Sequence, residues 1–348
     1  MARSSRPIVI IGAGGIVRDA HLPAYAKSGL LVASICDLIP EKARGLAAKF
    51  GIPHVAADVC GAIQNAPSGA VFDVAVPASE VLSVLPTLPD GAAVLIQKPL
   101  GENLAQARAI RELCRAKRLT AAVNFQLRFA PAVEQARRLI DEGRIGALTD
   151  IEVRVTCYTP WEMWPFLESA PRVEILYHSV HHVDLIRSFC GDPSAVYAKT
   201  LKHPRAPKLA STRSTIILDY GNSVRANVTA NHAHAYGPKH QESYIKWEGT
   251  AGAIKTRMGV LLDYPHGVPD EFEYVELDGS DRPEWKSLAL EGTWFPDAFW
   301  RRMVNLMAYL DGASPELGAS VEDAYRTMAV VESAYTSSET GGTPVTYD

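Results

Sequence analysis

Between residue 7 and about residue 125 the chain repeats one alternation: a short run of apolar, mostly β-branched residues, then a segment of helical periodicity. The runs are Ile8 to Ile11, Leu31 to Cys36, Phe72 to Val76, Ala93 to Ile96 and Thr120 to Val123. Strands that are apolar on both faces and separated by helices need cover on both sides, which leads to a doubly wound parallel sheet. In Pro40 to Phe50, Ala43, Leu46, Ala47 and Phe50 fall on one helical face, and Glu102 to Ala116 is a second such segment.

After Ala130 the rhythm changes. A helical pattern runs through Glu142 and stops at Gly143-Arg144-Ile145-Gly146, where glycines let the backbone turn into a new strand. Strand candidates follow at Ile151 to Val155, Ala195 to Thr200, Ser214 to Tyr220, Ser223 to Ala230, Tyr244 to Trp247 and Val260 to Tyr264. Asp219-Tyr220-Gly221-Asn222 reads as a hairpin turn, so this sheet is expected to be largely antiparallel. At 348 residues two cores are expected. The first domain is placed at 1–128 and an α+β second domain at 129–348, its late helices (Phe295 to Leu310 and Val321 to Tyr335) available to pack back on the first.

The 35 basic and 39 acidic residues nearly cancel and form no basic run, so neither nucleic acid nor a membrane surface is indicated as a partner. The five cysteines are scattered with no CxxC pair, and read as free thiols in a reducing compartment. Met1 to Pro7 is short and polar, and the apolar run behind it is too brief for a leader or a span. A cytoplasmic location is expected.

Directly after the first run stands Gly12-Ala13-Gly14-Gly15-Ile16-Val17, an approximation to GxGxxG. Glycines there permit a tight turn and a close backbone approach, so that a pyrophosphate meets the N-terminus of the next helix. A plain strand-to-helix turn accounts for the glycines equally well. Asp37, about 20 residues on at the end of the second run, shifts the reading, because an acid there binds adenine-ribose hydroxyls and repels a 2'-phosphate. With Leu38 and Ile39 beside it and no arginine, NAD is preferred over NADP; a turn or cap aspartate is the bland alternative. Val17 replaces the third small residue and is expected to alter the packing of the first helix.

Ligands of open parallel sheets lie beyond the carboxyl ends of the strands. Those ends carry Val76 and Pro77, then Gln97-Lys98-Pro99, then Asn124 with Arg128. In the second half, Tyr177-His178-Ser179-Val180-His181-His182-Val183-Asp184-Leu185 reads as a helix running to Cys190, with Tyr177, His181, Asp184 and Ser188 in one polar stripe. Such a stripe meets either a ligand or a closed hydrogen-bond network. The three histidines point in divergent directions and lack a fourth ligand at a standard spacing, so no metal site is expected. Tyr158, Trp161 and Trp164 precede this helix and offer aromatic faces to a sugar ring, with ordinary packing as the alternative. Asn231-His232-Ala233-His234 alternates as a strand would, placing both histidines on one face, at the ligand site or at an oligomer interface.

Taken in order, the glycine turn, Asp37, Lys98-Pro99 and the His-x-x-Asp helix resemble the Gfo/Idh/MocA family across nearly the whole chain. His21-Leu22-Pro23, Arg128-Phe129-Ala130-Pro131, Gly143 to Gly146 and Gly249-Thr250-Ala251-Gly252 add smaller matches. The resemblance implies a Rossmann domain and a C-terminal domain on a large, mostly antiparallel sheet that carries substrate and joins subunits as a homodimer or homotetramer. It also implies hydride transfer between nicotinamide and a secondary alcohol of a cyclic sugar or polyol. The family's Glu-Lys-Pro motif falls on Gln97-Lys98-Pro99, placing the catalytic lysine at Lys98; its histidine falls on His181 and its second aspartate on Asp184.

The cofactor set expected on this basis is Gly12, Gly14, Gly15, Ile16, Asp37, Val76, Pro77, Gln97, Lys98 and Arg128. The expected substrate set is Asn124, Tyr158, Trp161, Trp164, His178 and Asp184, with Lys98, His181 and Tyr177 catalytic. Two departures stand out: Gln97 replaces the glutamate, which removes a charge that would favour a protonated Lys98, and Tyr177 replaces the first aspartate. Rival readings are transient oxidation leading to elimination of a leaving group, a regulator that binds NAD without turnover, and a short-substrate reductase on a similar frame.

Overall fold

The computed structural model describes residues 6–277, 279 and 282–344. It divides into two compact units, one formed by Met1–Ala130 with Phe295–Met328 and the other by Pro131–Trp294 with Ala329–Asp348. The second domain expected over 129–348 is thus interrupted, since Phe295–Met328 belongs with the first unit.

In the first unit, β1 (Ile8–Ile11), β2 (Val32–Cys36), β3 (His54–Val55), β4 (Val71–Val74), β5 (Ala93–Ile96) and β6 (Thr120–Val123) form one sheet in the order β3-β2-β1-β4-β5-β6. Every pair is parallel. This is the doubly wound Rossmann order, with its switch point between β1 and β4. All residues of β1, β4 and β5 are buried, which is why, Asp73 of β4 apart, they are apolar without alternation. The expected run to Val76 stops as a strand at Val74, and β3, two exposed residues, left no hydrophobic signal.

The late helix Asp297–Leu310 sets Phe299, Met303, Leu306 and Met307 into the same core as β1 and the first helix. On that helix Arg302 is fully buried, a costly placement unless its donors are met. They are: Nε donates to the Val123 carbonyl at the end of β6, 3.1 Å, and Nη1 to Asn305, 2.9 Å.

The second unit is built on β7 (Leu148–Thr156), β8 (Ala195–Leu201), β9 (Arg213–Asp219), β10 (Arg225–Asn231), β11 (Glu242–Gly249), β12 (Gly252–Arg257), β13 (Glu271–Glu276) and β14 (Lys286–Ser287), in the order β14-β13-β12-β11-β7-β10-β9-β8. Only β7 and β10 pair in parallel; the other neighbours are antiparallel. The hairpin expected at Asp219 to Asn222 joins β9 to β10, with Gly221 donating to Asp219 Oδ1. Gly146 holds a positive φ of 70°, and a Cβ there would collide with Thr250, so both halves of this small motif are needed for the entry into β7.

Two strand assignments need correction. Val260 to Tyr264 is not a strand; Gly259–Leu262 forms a 3-10 turn, since three apolar residues ahead of Pro265 are too few to pair. The strands β12 and β13 went unread because Gly252 and Thr256 occupy inward positions and glutamates fill β13. Among the described residues no helix is long and apolar enough to cross a membrane, and all five cysteines are free.

Candidate active site

The glycine turn leaves β1 at Gly12, whose φ is 108°. A Cβ on Gly12 would collide with the carbonyl of Ala75 and lie 3.5 Å from Val76, so only glycine lets the β1 and β4 ends close up at the switch point. The Cβ direction of Gly14 faces open space, so the turn is accessible there. Asp37 reaches back to this turn: Oδ2 accepts from the Ala13 N–H at 2.6 Å and Oδ1 from the Ile39 N–H at 2.8 Å. It is therefore a turn aspartate that also ties β2 to the glycine loop. Leu38 beside it is 94% exposed. Past Ile16 the chain makes a π turn over Val17–His21, with Val17 fully buried in place of the small residue.

That turn delivers His21 into a line of buried polar side chains. Its Nδ1 lies 2.7 Å from Asp73 Oδ2, which also accepts from the Tyr25 hydroxyl at 2.7 Å. On the other side, Asn124 Nδ2 lies 3.3 Å from His21 Nε2 and donates to Gln97 Oε1 at 2.9 Å. Asn124 is fully buried with its amino group engaged in this line, so the expectation that it touches substrate is corrected. Arg128 is held by Asp323 at 2.7 Å, an ion pair the sequence reading did not foresee for a cofactor residue.

Lys98 follows β5, its peptide to Pro99 cis. Its side chain is partly exposed, but burial of the amine lowers its pKa to about 8.

In the second unit, Ile175–Ser179 is a π turn that leads into the helix Val180–Cys190. Tyr177, within this turn, packs edge-on to Phe166, ring centroids 5.7 Å apart, beside Leu167, Val173 and Leu209. His181 and Asp184 are buried, and the His181 ring meets Trp294 edge-on at 6.0 Å. Ser188 receives a hydrogen bond from Arg137, 2.7 Å. Trp164 packs on Tyr264, and half-exposed Tyr158 bridges to Ala233 beyond the strand ends.

Trp161 and His178 do come together, their rings 4.9 Å apart, and each stacks on His232 as well, at 5.6 and 4.4 Å. Against His232 stands Glu174, which the sequence reading missed. His232 Nδ1 is 2.8 Å from Thr159 Oγ1, and Nε2 stands 3.4 Å from Glu174 Oε1, a charge pair rather than a close hydrogen bond. Glu174 also accepts from Ser179 at 2.7 Å. The strand ends at Asn231, so the two histidines expected on one face part company: His232 is fully buried, while His234 turns to Tyr236 and the Lys239 carbonyl. Among the described residues no three His, Cys, Asp or Glu are grouped to hold a metal.

Residues 6–125 match the family model for the oxidoreductase family with an NAD-binding Rossmann fold, and residues 133–255 match the model for the GFO/IDH/MocA C-terminal domain. A Rossmann sheet with that glycine turn, joined to such a domain, makes the chain an NAD-dependent oxidoreductase. It belongs to the Gfo/Idh/MocA family. It is similar to a D-apiose dehydrogenase of Paraburkholderia graminis, 25% identical over 96% of this chain and 88% of that one. An inositol 2-dehydrogenase of Saccharopolyspora erythraea is 28% identical over 97% of this chain and 94% of the relative. In fold it resembles a levoglucosan dehydrogenase solved with NADH and levoglucosan, with a TM-score of 0.77, 21% identity and coverage of 96% and 97%.

Proposed function

We propose that this chain interconverts a secondary alcohol of a neutral cyclic sugar or polyol and the corresponding ketone. The observation that carries this reading is the desolvated Lys98 amine at the end of β5, in a sheet whose glycine turn and Asp37 suit NAD. The relatives' names, which speak of apiose, inositol and levoglucosan, support the substrate class. Gly12, Gly14, Gly15 and Ile16 would hold the pyrophosphate, Asp37 the adenosine ribose, and Val76, Pro77 and Gln97 the remainder. Bound NAD supplies the hydride acceptor.

The chain's own residues manage the proton and the oxygen. Lys98, protonated below about pH 8, donates a hydrogen bond to the reacting oxygen, steadying alkoxide in oxidation and polarising the carbonyl in reduction. His181 takes the hydroxyl proton, and Asp184 orients it. Trp161 and His178 offer a ring face and a donor to the sugar. The outward side of β8 and β9, where exposed Tyr197 pairs with exposed Ile217, is our reading of the surface on which copies associate.

The test is NADH formation with a panel of pentoses, inositols and anhydrosugars. Wild type is expected to turn over at least one of them with NAD, and Lys98→Ala and His181→Ala each to lose about a hundredfold or more in kcat. Absence of turnover on every member, with NAD demonstrably bound, overturns the reading. A second outcome concerns pH. In the direction of carbonyl reduction, kcat/KM is expected to fall above about pH 8 as Lys98 loses its proton. Restoring a carboxylate with Gln97→Glu favours the charged amine, and is expected to move that limb upward by about one pH unit. An unmoved limb would show that another group titrates there.

A further inference from the structure

The buried line Asp73, His21, Asn124, Gln97 has a direction, and the direction is set at one end. A carboxylate can only accept, so the His21 nitrogen 2.7 Å from Asp73 Oδ2 is the one that carries hydrogen. In the neutral imidazole the other nitrogen, Nε2, then presents a lone pair, and the group 3.3 Å from it is a donor, the Asn124 amino group. Turning the Asn124 amide over would set its oxygen against that lone pair. The second hydrogen of the same amino group goes to Gln97 Oε1 at 2.9 Å, which in turn settles which end of the Gln97 amide faces inward. Each link forces the next, across the first helix, β4, β6 and β5. Asp73 and Asn124 are wholly buried and Gln97 nearly so, where water cannot reset the order.

The consequence falls on Gln97. With Oε1 committed to Asn124, its Nε2 hydrogens remain, and among the described residues none accepts them. A glutamate at this position would have no hydrogen to offer.

We infer that Asp73, His21 and Asn124 act as positioning residues that fix the Gln97 side chain as a hydrogen-bond donor to the carboxamide oxygen of the nicotinamide. The placement of the dinucleotide follows from the sheet. Asp37 lies on the β2 side of the glycine turn, so an adenosine ribose there puts the pyrophosphate at β1 and the other half of an extended dinucleotide over β4 and β5. Gln97 stands at the end of β5. The inference rests on NAD binding alone and holds or fails independently of the sugar-dehydrogenase reading.

The experiment compares binding of NADH with that of ADP-ribose, which lacks the nicotinamide, to the full chain by calorimetry. Gln97→Met removes the donor and Asn124→Leu releases the amide it fixes. Each is expected to weaken NADH about tenfold, the worth of one directed hydrogen bond, and to leave ADP-ribose within about twofold. A general loosening of the domain would weaken both ligands alike, and that result in Asn124→Leu overturns the positioning role. NADH bound by Gln97→Met as tightly as by wild type overturns the donor itself. Should Asn124→Leu not fold, the Gln97→Met comparison still decides whether the donor exists, and His21→Gln, which keeps a polar side chain but loses the imidazole's fixed direction, takes its place: an unchanged NADH to ADP-ribose ratio there removes the relay.

Discussion

Replacing Lys98 with methionine is expected to make the protein more stable and nearly inactive. The amine is desolvated, and burial lowers its pKa from 10.5 to about 8, a measure of how far the fold disfavours the charge. One pKa unit corresponds to about 1.4 kcal/mol, so the penalty has a ceiling of roughly 3.5 kcal/mol. Because the side chain keeps some contact with water, a gain of about 2 kcal/mol is the expected result for an apolar side chain of similar length. In a unit of this size that is about 4–8 °C in Tm.

The gain should depend on pH in a definite sense. Below about pH 8 both folded and unfolded chains carry the proton, and the penalty is present in full. Between there and the ordinary lysine range only the unfolded chain holds it, so wild-type stability rises with pH and the advantage of the variant shrinks. Denaturant unfolding at pH 7 and pH 10 measures both values. At the same time kcat should drop by about 10²–10³-fold, the usual loss when a donor to a developing oxyanion is removed. A variant that is inactive but no more stable would mean that the charge is well solvated in the free protein, and that the pH limb proposed above belongs elsewhere.

The sheet of the first unit was legible because its strands are apolar on both faces: Ile8–Ile11, Val71–Val74 and Ala93–Ile96 are buried end to end, and no other local structure explains such runs between helices. The hairpin at Gly221 was legible from its turn chemistry. What failed were places where tertiary contacts override local pattern. The π turn Ile175–Ser179 falls where a constant 3.6-residue period was assumed. Asn124 was read as a ligand residue because it follows a strand, yet β6 points it inward to His21 and Gln97.

One signal was available. Asp73 sits inside Val71-Phe72-Asp73-Val74, and an acid in the middle of a wholly buried strand requires partners. His21, at the end of the π turn, and Tyr25, in the helix that follows it, are those partners. Glu174 gave no such warning, since it stands at the edge of an element, far along the chain from His232.

Breaking that second pair is expected to be the most destabilising conservative change in the molecule. Glu174 and His232 are both wholly buried. Burial by itself would raise the Glu174 carboxyl, but His232 beside it, with the Ser214 and Ser179 hydroxyls, holds it below its ordinary value. Burial opposes charge on His232 as well, and there Cys157 and Glu174 outweigh it and raise the imidazole well above its ordinary value. His182 competes for the same carboxylate; burial, the larger effect, keeps it neutral with a pKa of about 4. Glu174→Gln leaves the shape and removes the charge, at an expected cost of about 3 kcal/mol.

The pH dependence separates this from simple loss of packing. The carboxylate's contribution is present above its unfolded pKa and fades as pH falls through the lowered folded value. The imidazolium's contribution is present below the ordinary histidine value and fades as pH rises toward the raised one. The difference between wild type and Glu174→Gln should therefore peak near pH 5–6.5 and narrow on either side. A double-mutant cycle with His232→Asn, read by urea unfolding at pH 6, should give a coupling of about 2 kcal/mol. Strictly additive losses would mean that His232 is neutral and that the two residues merely adjoin. A coupled pair, in contrast, makes the packing of His178 and Trp161 against the His232 ring depend on the Glu174 carboxylate. Glu174→Gln should then disturb near-ultraviolet tryptophan dichroism even where the chain remains folded.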